Sequence, residues 1–78
     1  MMRRLVLIDW EDSNFEHGWL SIDQVTGILI TTESVGFIIF EDETRISIAQ
    51  NKSGIDTFMG IITIPKSCIK SIRQLRVK

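Results

Sequence analysis

This sequence predicts an all-β fold, a small and strongly bent five-stranded barrel with room for one short helical turn. Three observations predict it. β-branched apolar runs recur in short segments, polar or glycine-bearing clusters separate them, and 78 residues are too few for a two-sheet sandwich of ordinary size. A bent, partly closed barrel over residues 1–78, read as one domain, buries Ile-rich faces economically. It leaves edge strands that invite pairing with another copy, so a homo-oligomer of closed symmetry is expected.

Leu5 to Trp10 supplies the first strand, with Val, Ile and Trp suited to a pleated surface. The polar stretch from Glu11 to Gly18 is a loop. Trp19 to Val25 fits a short strand or a single helical turn, and the spacing does not separate the two. Gly27 to Thr32 opens the second strand, which continues through Val35 and Phe37 to Phe40 with a bend or bulge expected near Gly36.

Glu41-Asp42-Glu43-Thr44 is a hairpin turn. Arg45 to Gln50 alternates Ile46 and Ile48 with charged or small residues, so that strand is expected to bury one face and wet the other. Ile55 to Met59 reads as loop, and Gly60 to Ile64 as a strand stopped by Pro65, which has no N–H for a ladder. Pro65 to Cys68 is a tight turn or one turn of 3₁₀ helix. Ile69, Ile72 and Leu75 then resume an apolar pattern that reads as the last strand.

Composition narrows the function class. The formal charge of −1 and 44% apolar content describe a globular chain rather than a disordered one. Cys68 is the single cysteine, which excludes an internal disulfide and leads to the expectation of a reducing, cytoplasmic setting. Two arginines precede Leu5 to Ile8, but four apolar residues are too short for a signal core or a membrane span. No membrane partner is expected.

Catalytic groups are scarce. One Cys, one His and no Tyr allow a nucleophile only if Cys68 and His17 meet beside a carboxylate such as Asp12, and the plainer reading is a half-buried thiol and a loop imidazole. The carboxylates have no zinc or calcium spacing, and the five glycines are isolated rather than gathered into a phosphate loop. The expectation is therefore a protein that is not an enzyme and holds no cofactor or metal.

Two candidate surfaces remain. Trp10 and Trp19 flank a loop carrying Asp12, Ser13, Phe15 and His17. Aromatic rings with polar neighbours suit a ligand- or partner-binding site, although both tryptophans also suit plugs for the end of a barrel. The second surface is basic: Lys66, Lys70, Arg73, Arg76 and Lys78 follow the last acid, Asp56. On a strand several would share a face, as a nucleic-acid contact needs. Acids crowd instead at Asp9, Glu11, Asp12 and Glu16 and at Glu41, Asp42 and Glu43, so the chain is dipolar, and the stripe can stay solvated or serve a neighbouring protomer.

Val35 to Ile48, with the later Ile62 to Ile72, resembles the strand-turn-strand layout of SH3-like and Sm-like small barrels. Thr44-Arg45 stands where the Sm-like RNA-binding pattern carries Asn, and Pro65-Lys66 where it carries an Arg-Gly pair. That resemblance therefore implies the barrel rather than the RNA site. Over nearly the whole chain, Trp10-Glu11-Asp12-Ser13, Gly18-Trp19, Ser34-Val35-Gly36, Ile46 to Ala49 and Ile64-Pro65-Lys66 are similar to small uncharacterised proteins encoded by bacteriophages and prophages. This resemblance implies a phage accessory protein in a bacterial host cytoplasm and transfers no catalytic residue. The expected function is binding of a host protein or a small nucleotide, with a role in blunting a host defence. Nucleic-acid binding through the basic stripe and a structural role in the virion are the alternatives.

Overall fold

The computed structural model describes residues 3–13 and 18–76. Five antiparallel strands, β1 (Leu5–Asp12), β2 (Ile30–Glu41), β3 (Arg45–Ser53), β4 (Thr57–Pro65) and β5 (Ile69–Gln74), form one sheet in the order β4-β3-β2-β1-β5. The only helical pieces among the described residues are two 3₁₀ turns, Ile22–Gln24 and Lys66–Cys68. Of the two readings of Trp19 to Val25, the chain takes the helical turn. Among the described residues β4 pairs only with β3 and β5 only with β1, so the sheet is open between its edges. No helix of the described residues is long and apolar enough to cross a membrane.

The core lies on one face. Val6, Ile8 and Trp10 alternate inward from β1, as a pleated strand requires, and join Ile46, Ile48 and Ile64 in one buried cluster. Ile38, Ile62, Cys68 and Ile69 pack around it. β2 lies between β1 and β3, so a cluster shared by those two strands requires a sheet curled about its inner face. Gly36 permits the curl. A Cβ there would lie 2.7 Å from the Ala49 carbonyl oxygen, so the backbones of β2 and β3 approach where no side chain fits.

Several boundaries depart from the sequence reading. The bulge expected near Gly36 falls between Ile38 and Phe40, while Gly36 itself is needed for close approach. The extra residue, Ile39, sets Phe40 opposite Ser47 while Phe37 is opposite Ala49. β4 begins at Thr57, inside the stretch read as loop, where Phe58 pairs with Lys52 and Met59 with Asn51. In β3 all four residues from Ile46 to Ala49 are buried rather than alternating. Ala49 sits between Phe37 and Ile61 in the register, and Ser47 shares a 2.7 Å hydroxyl contact with Thr63, so larger neighbours cover these small side chains.

The β2–β3 hairpin turn forms as its acids suggest. The Asp42 carboxylate accepts from the N–H groups of Thr44 (2.9 Å) and Arg45 (3.0 Å) and from the Thr44 hydroxyl (3.1 Å), while the Asp42 N–H donates to the Arg45 carbonyl. Those donors, the Thr44 N–H foremost, hold Asp42 below its ordinary carboxylate range. The Lys66 N–H donates to the Thr44 carbonyl, anchoring the second 3₁₀ turn on this hairpin and aiming β5 across to β1.

Candidate functional site

The β1–β2 hairpin does not close with a tight turn. Pairing runs out to Asp12 opposite Ile30, and the chain between them carries an arm, residues 18–30, whose described residues are all exposed. Trp19 is 103% exposed, Ile22 88%, and Val25, Ile28, Leu29 and Ile30 lie at about half exposure or above. Apolar side chains of this kind ordinarily sit inside, and exposed ones ordinarily occur singly.

The arm has local order of its own. The Ser21 N–H donates to Gln24 Oε1 (3.0 Å), the Ser21 hydroxyl to Asp23 Oδ1 (2.6 Å), and the Gln24 N–H to the Ser21 carbonyl. Together these bonds fix the 3₁₀ turn. The Ser21 hydroxyl is the main cause holding Asp23 below its ordinary carboxylate range. Gly27, at φ +64°, takes a left-handed backbone conformation before the run into β2, one that side-chain-bearing residues adopt at a cost. The polar groups thus satisfy one another and the apolar groups face outward.

The molecule is elongated. Its radius of gyration is 15.8 Å, against about 11.5 Å for a compact chain of this length. The long axis spans 53 Å, twice the 27 Å of the next.

The sequence-predicted residues fall in three environments. Trp10 is 6% exposed in the core, its indole N–H donating to Ser34 Oγ at 3.0 Å, whereas Trp19 stands on the arm. The structure does not bring the two tryptophans together. Asp12 and Ser13 lie at the base of the arm, where the Asp12 carboxylate accepts from the Ser13 N–H at 2.7 Å. There, with Glu11, Leu29, Cys68 and Lys70, they line a shallow cleft of about 400 Å³. His17 and Phe15 lie outside the described residues.

The basic stripe is engaged with its own chain. Lys66 reaches Glu41 (2.7 Å), Lys70 reaches Glu11 (3.4 Å), and Arg73 lies 4.0 Å from Asp9, whose carboxylate also accepts from Ser71. Arg76 is exposed, and Lys78 lies outside the described residues. Among the described residues no three His, Cys, Asp or Glu side chains gather as metal ligands.

The sequence reading missed the arm beyond Trp19. A signal was present: Trp19, Leu20, Ile22, Val25, Ile28, Leu29 and Ile30 occupy a stretch whose single charge is Asp23. Two further features belong to the sheet's exterior. Lys52 stacks over Phe37 (5.4 Å) and Arg45 over Phe40 (5.8 Å), and Val35, Phe40, Met59 and Ile61 remain substantially exposed. Comparison with protein-family models, with curated proteins and with solved structures returns no match to this chain, so what its surfaces do rests on the residues just described.

Proposed function

We propose that this chain is a non-catalytic interaction protein that engages a protein partner through the arm, residues 18–30. The observation that carries the reading is the exposure of Trp19, Ile22, Val25, Ile28, Leu29 and Ile30 in one continuous segment, beside a core completed without them. Covering apolar surface of this kind is favourable at about 25 cal/mol per Å². A rigid aromatic such as the exposed Trp19 gives contact area at little conformational cost.

A protein partner suits the site better than a small nucleotide, because Trp19 stands fully exposed and no described wall encloses it. It also suits it better than nucleic acid, because Lys66, Lys70 and Arg73 already face acids of their own chain. The resemblance to small phage and prophage proteins supplies a setting, a bacterial host. The scaffold in this reading is a small SH3-like barrel left open between β4 and β5. The strand order and the 3₁₀ turn joining the two edge strands support it.

The test is capture from bacterial lysate by immobilised chain, wild type against the Trp19→Asp/Ile22→Asp variant. The reading predicts a discrete protein, a host protein or another copy of this chain, retained by the wild type and lost from the variant. Equal retention by both contradicts it.

A further inference from the structure

Resting on that reading, we infer that the arm's partner is a second copy of this chain: the arm of one copy packs on the exposed apolar surface of β4 in another, and each copy gives one arm and receives one.

Area is the first argument. The chain presents 6405 Å² of accessible surface at a mass of 9.0 kDa. A compact monomer of that mass presents about 4,900 Å². The excess is near twice the ~800 Å² that each partner contributes to a standard stable interface. One arm given and one surface covered in return accounts for an excess of that size.

The second argument is that the same chain carries a receiving surface. Met59 is 68% and Ile61 55% exposed on edge strand β4. Beside them lies a depression of about 240 Å³ lined by Asn51, Lys52, Ser53, Thr57, Phe58 and Met59. That volume is below the ~300–1,000 Å³ of small-molecule sites and is on the scale of an inserted side chain. Trp19 is the arm's largest side chain and the one with least contact to its own chain.

Charge is the third. Asp23 is the arm's single charged residue, while the receiving side carries Lys52, which lines the depression and stacks on the Phe37 ring. Docking therefore brings opposite charges to the rim of an apolar contact, the arrangement of complementary interfaces. The same charges disfavour a membrane as occupant, since insertion at an anionic bilayer is favoured by Lys and Arg and the arm has neither. Exchanged mutually between two copies about a two-fold axis, the contact closes on itself as a dimer of fixed size; passed on head to tail, it would build a ring or an open filament.

Native mass spectrometry and sedimentation of the full chain test this, using an arm variant, Trp19→Asp/Ile22→Asp, and a surface variant, Met59→Glu/Ile61→Glu. All four positions are exposed, and unchanged circular dichroism confirms that each variant folds. The wild type is expected at a fixed multiple of 9.0 kDa and each variant alone as monomer. Mixing the two variants is expected to restore a complex containing both, because one contributes an intact surface and the other an intact arm. A wild type that stays monomeric at about 100 μM, far above the Kd of a stable interface of this size, overturns the inference, and so does a variant that assembles like the wild type. Arm-dependent capture of a different protein by a monomeric wild type would overturn the inference and leave the proposed function standing. If neither assembly nor capture responds to the arm, both fall.

Discussion

Strand β3 and the arm contain similar residues in opposite circumstances. From Ile46 to Ala49 every side chain is buried, even the two that alternation assigns to the outer face, whereas from Gly18 to Thr31 every residue is exposed although seven are large and apolar. The tryptophans repeat the contrast, Trp10 lying in the core and Trp19 in the open. Composition does not separate the two regions; neighbours do. β3 lies between β2 and β4 and is curled over β1's side chains, while the arm lies beyond the last β1–β2 pair and its residues 18–30 stay exposed, with no second layer over them among the described residues.

The sharpest way to break this contrast is to truncate one side chain in each region. Ile8→Ala or Ile48→Ala should cost about 2–5 kcal/mol, because each leaves a cavity in a core with few members. Ile22→Ala should stay within about 0.5 kcal/mol in dilute solution, as surface changes do. Urea denaturation at low protein concentration reads both. Comparable losses at Ile22 and Ile48 would mean that the arm belongs to the monomer's core.

Gly36→Ala probes the curl that covers β3. Its Cβ would meet the Ala49 carbonyl oxygen at 2.7 Å, and strain of this kind costs about 1–3 kcal/mol. Thermal unfolding should show a lowered midpoint. The equivalent change at Gly27 meets open space and strains only the local backbone, which sharpens the comparison.

A smaller effect is expected at the hairpin turn before β3. Folding depresses the Asp42 pKa, chiefly through the Thr44 N–H. The stabilisation this gives is complete above the unfolded value of 3.8 and disappears as pH falls through the folded value. Stability measured from neutral pH into that acidic window should therefore decline less steeply in Asp42→Ala than in the wild type. An identical decline would remove Asp42 from the account. Small as well is the effect of Lys66→Ala, which loses a half-exposed ion pair with Glu41 worth about 0–1 kcal/mol.

Much of the sheet was legible because its strands carry their own signals. Val6 and Ile8 in β1, Ile46 and Ile48 in β3, the acidic turn and the stop at Pro65 all read locally. An irregularity near Gly36 was legible, but not its exact form, a bulge at Ile39 with close approach at Gly36, because close approach is a relation between two strands that one strand's residues do not display. Ser47 and Ala49 were assigned to water for the same reason, since their cover comes from Phe37, Ile61 and Thr63 elsewhere in the chain. At the candidate site, Trp19 was singled out correctly as a residue of interest, but its pairing with Trp10 assumed a loop folded back on the sheet. Nothing in an apolar stretch states whether the layer that covers it belongs to the same molecule.

The most direct measurement is iodide quenching of tryptophan fluorescence across a concentration series, with Trp19→Phe as reference. Trp10 is screened by the fold, so the quenchable emission reports Trp19. The account predicts that this component is absent from Trp19→Phe and shrinks in the wild type as concentration carries the chain into its assembly. A Trp19 that stays equally quenchable in the assembled protein would contradict it, since the arm would then be exposed in the very complex it is held to form.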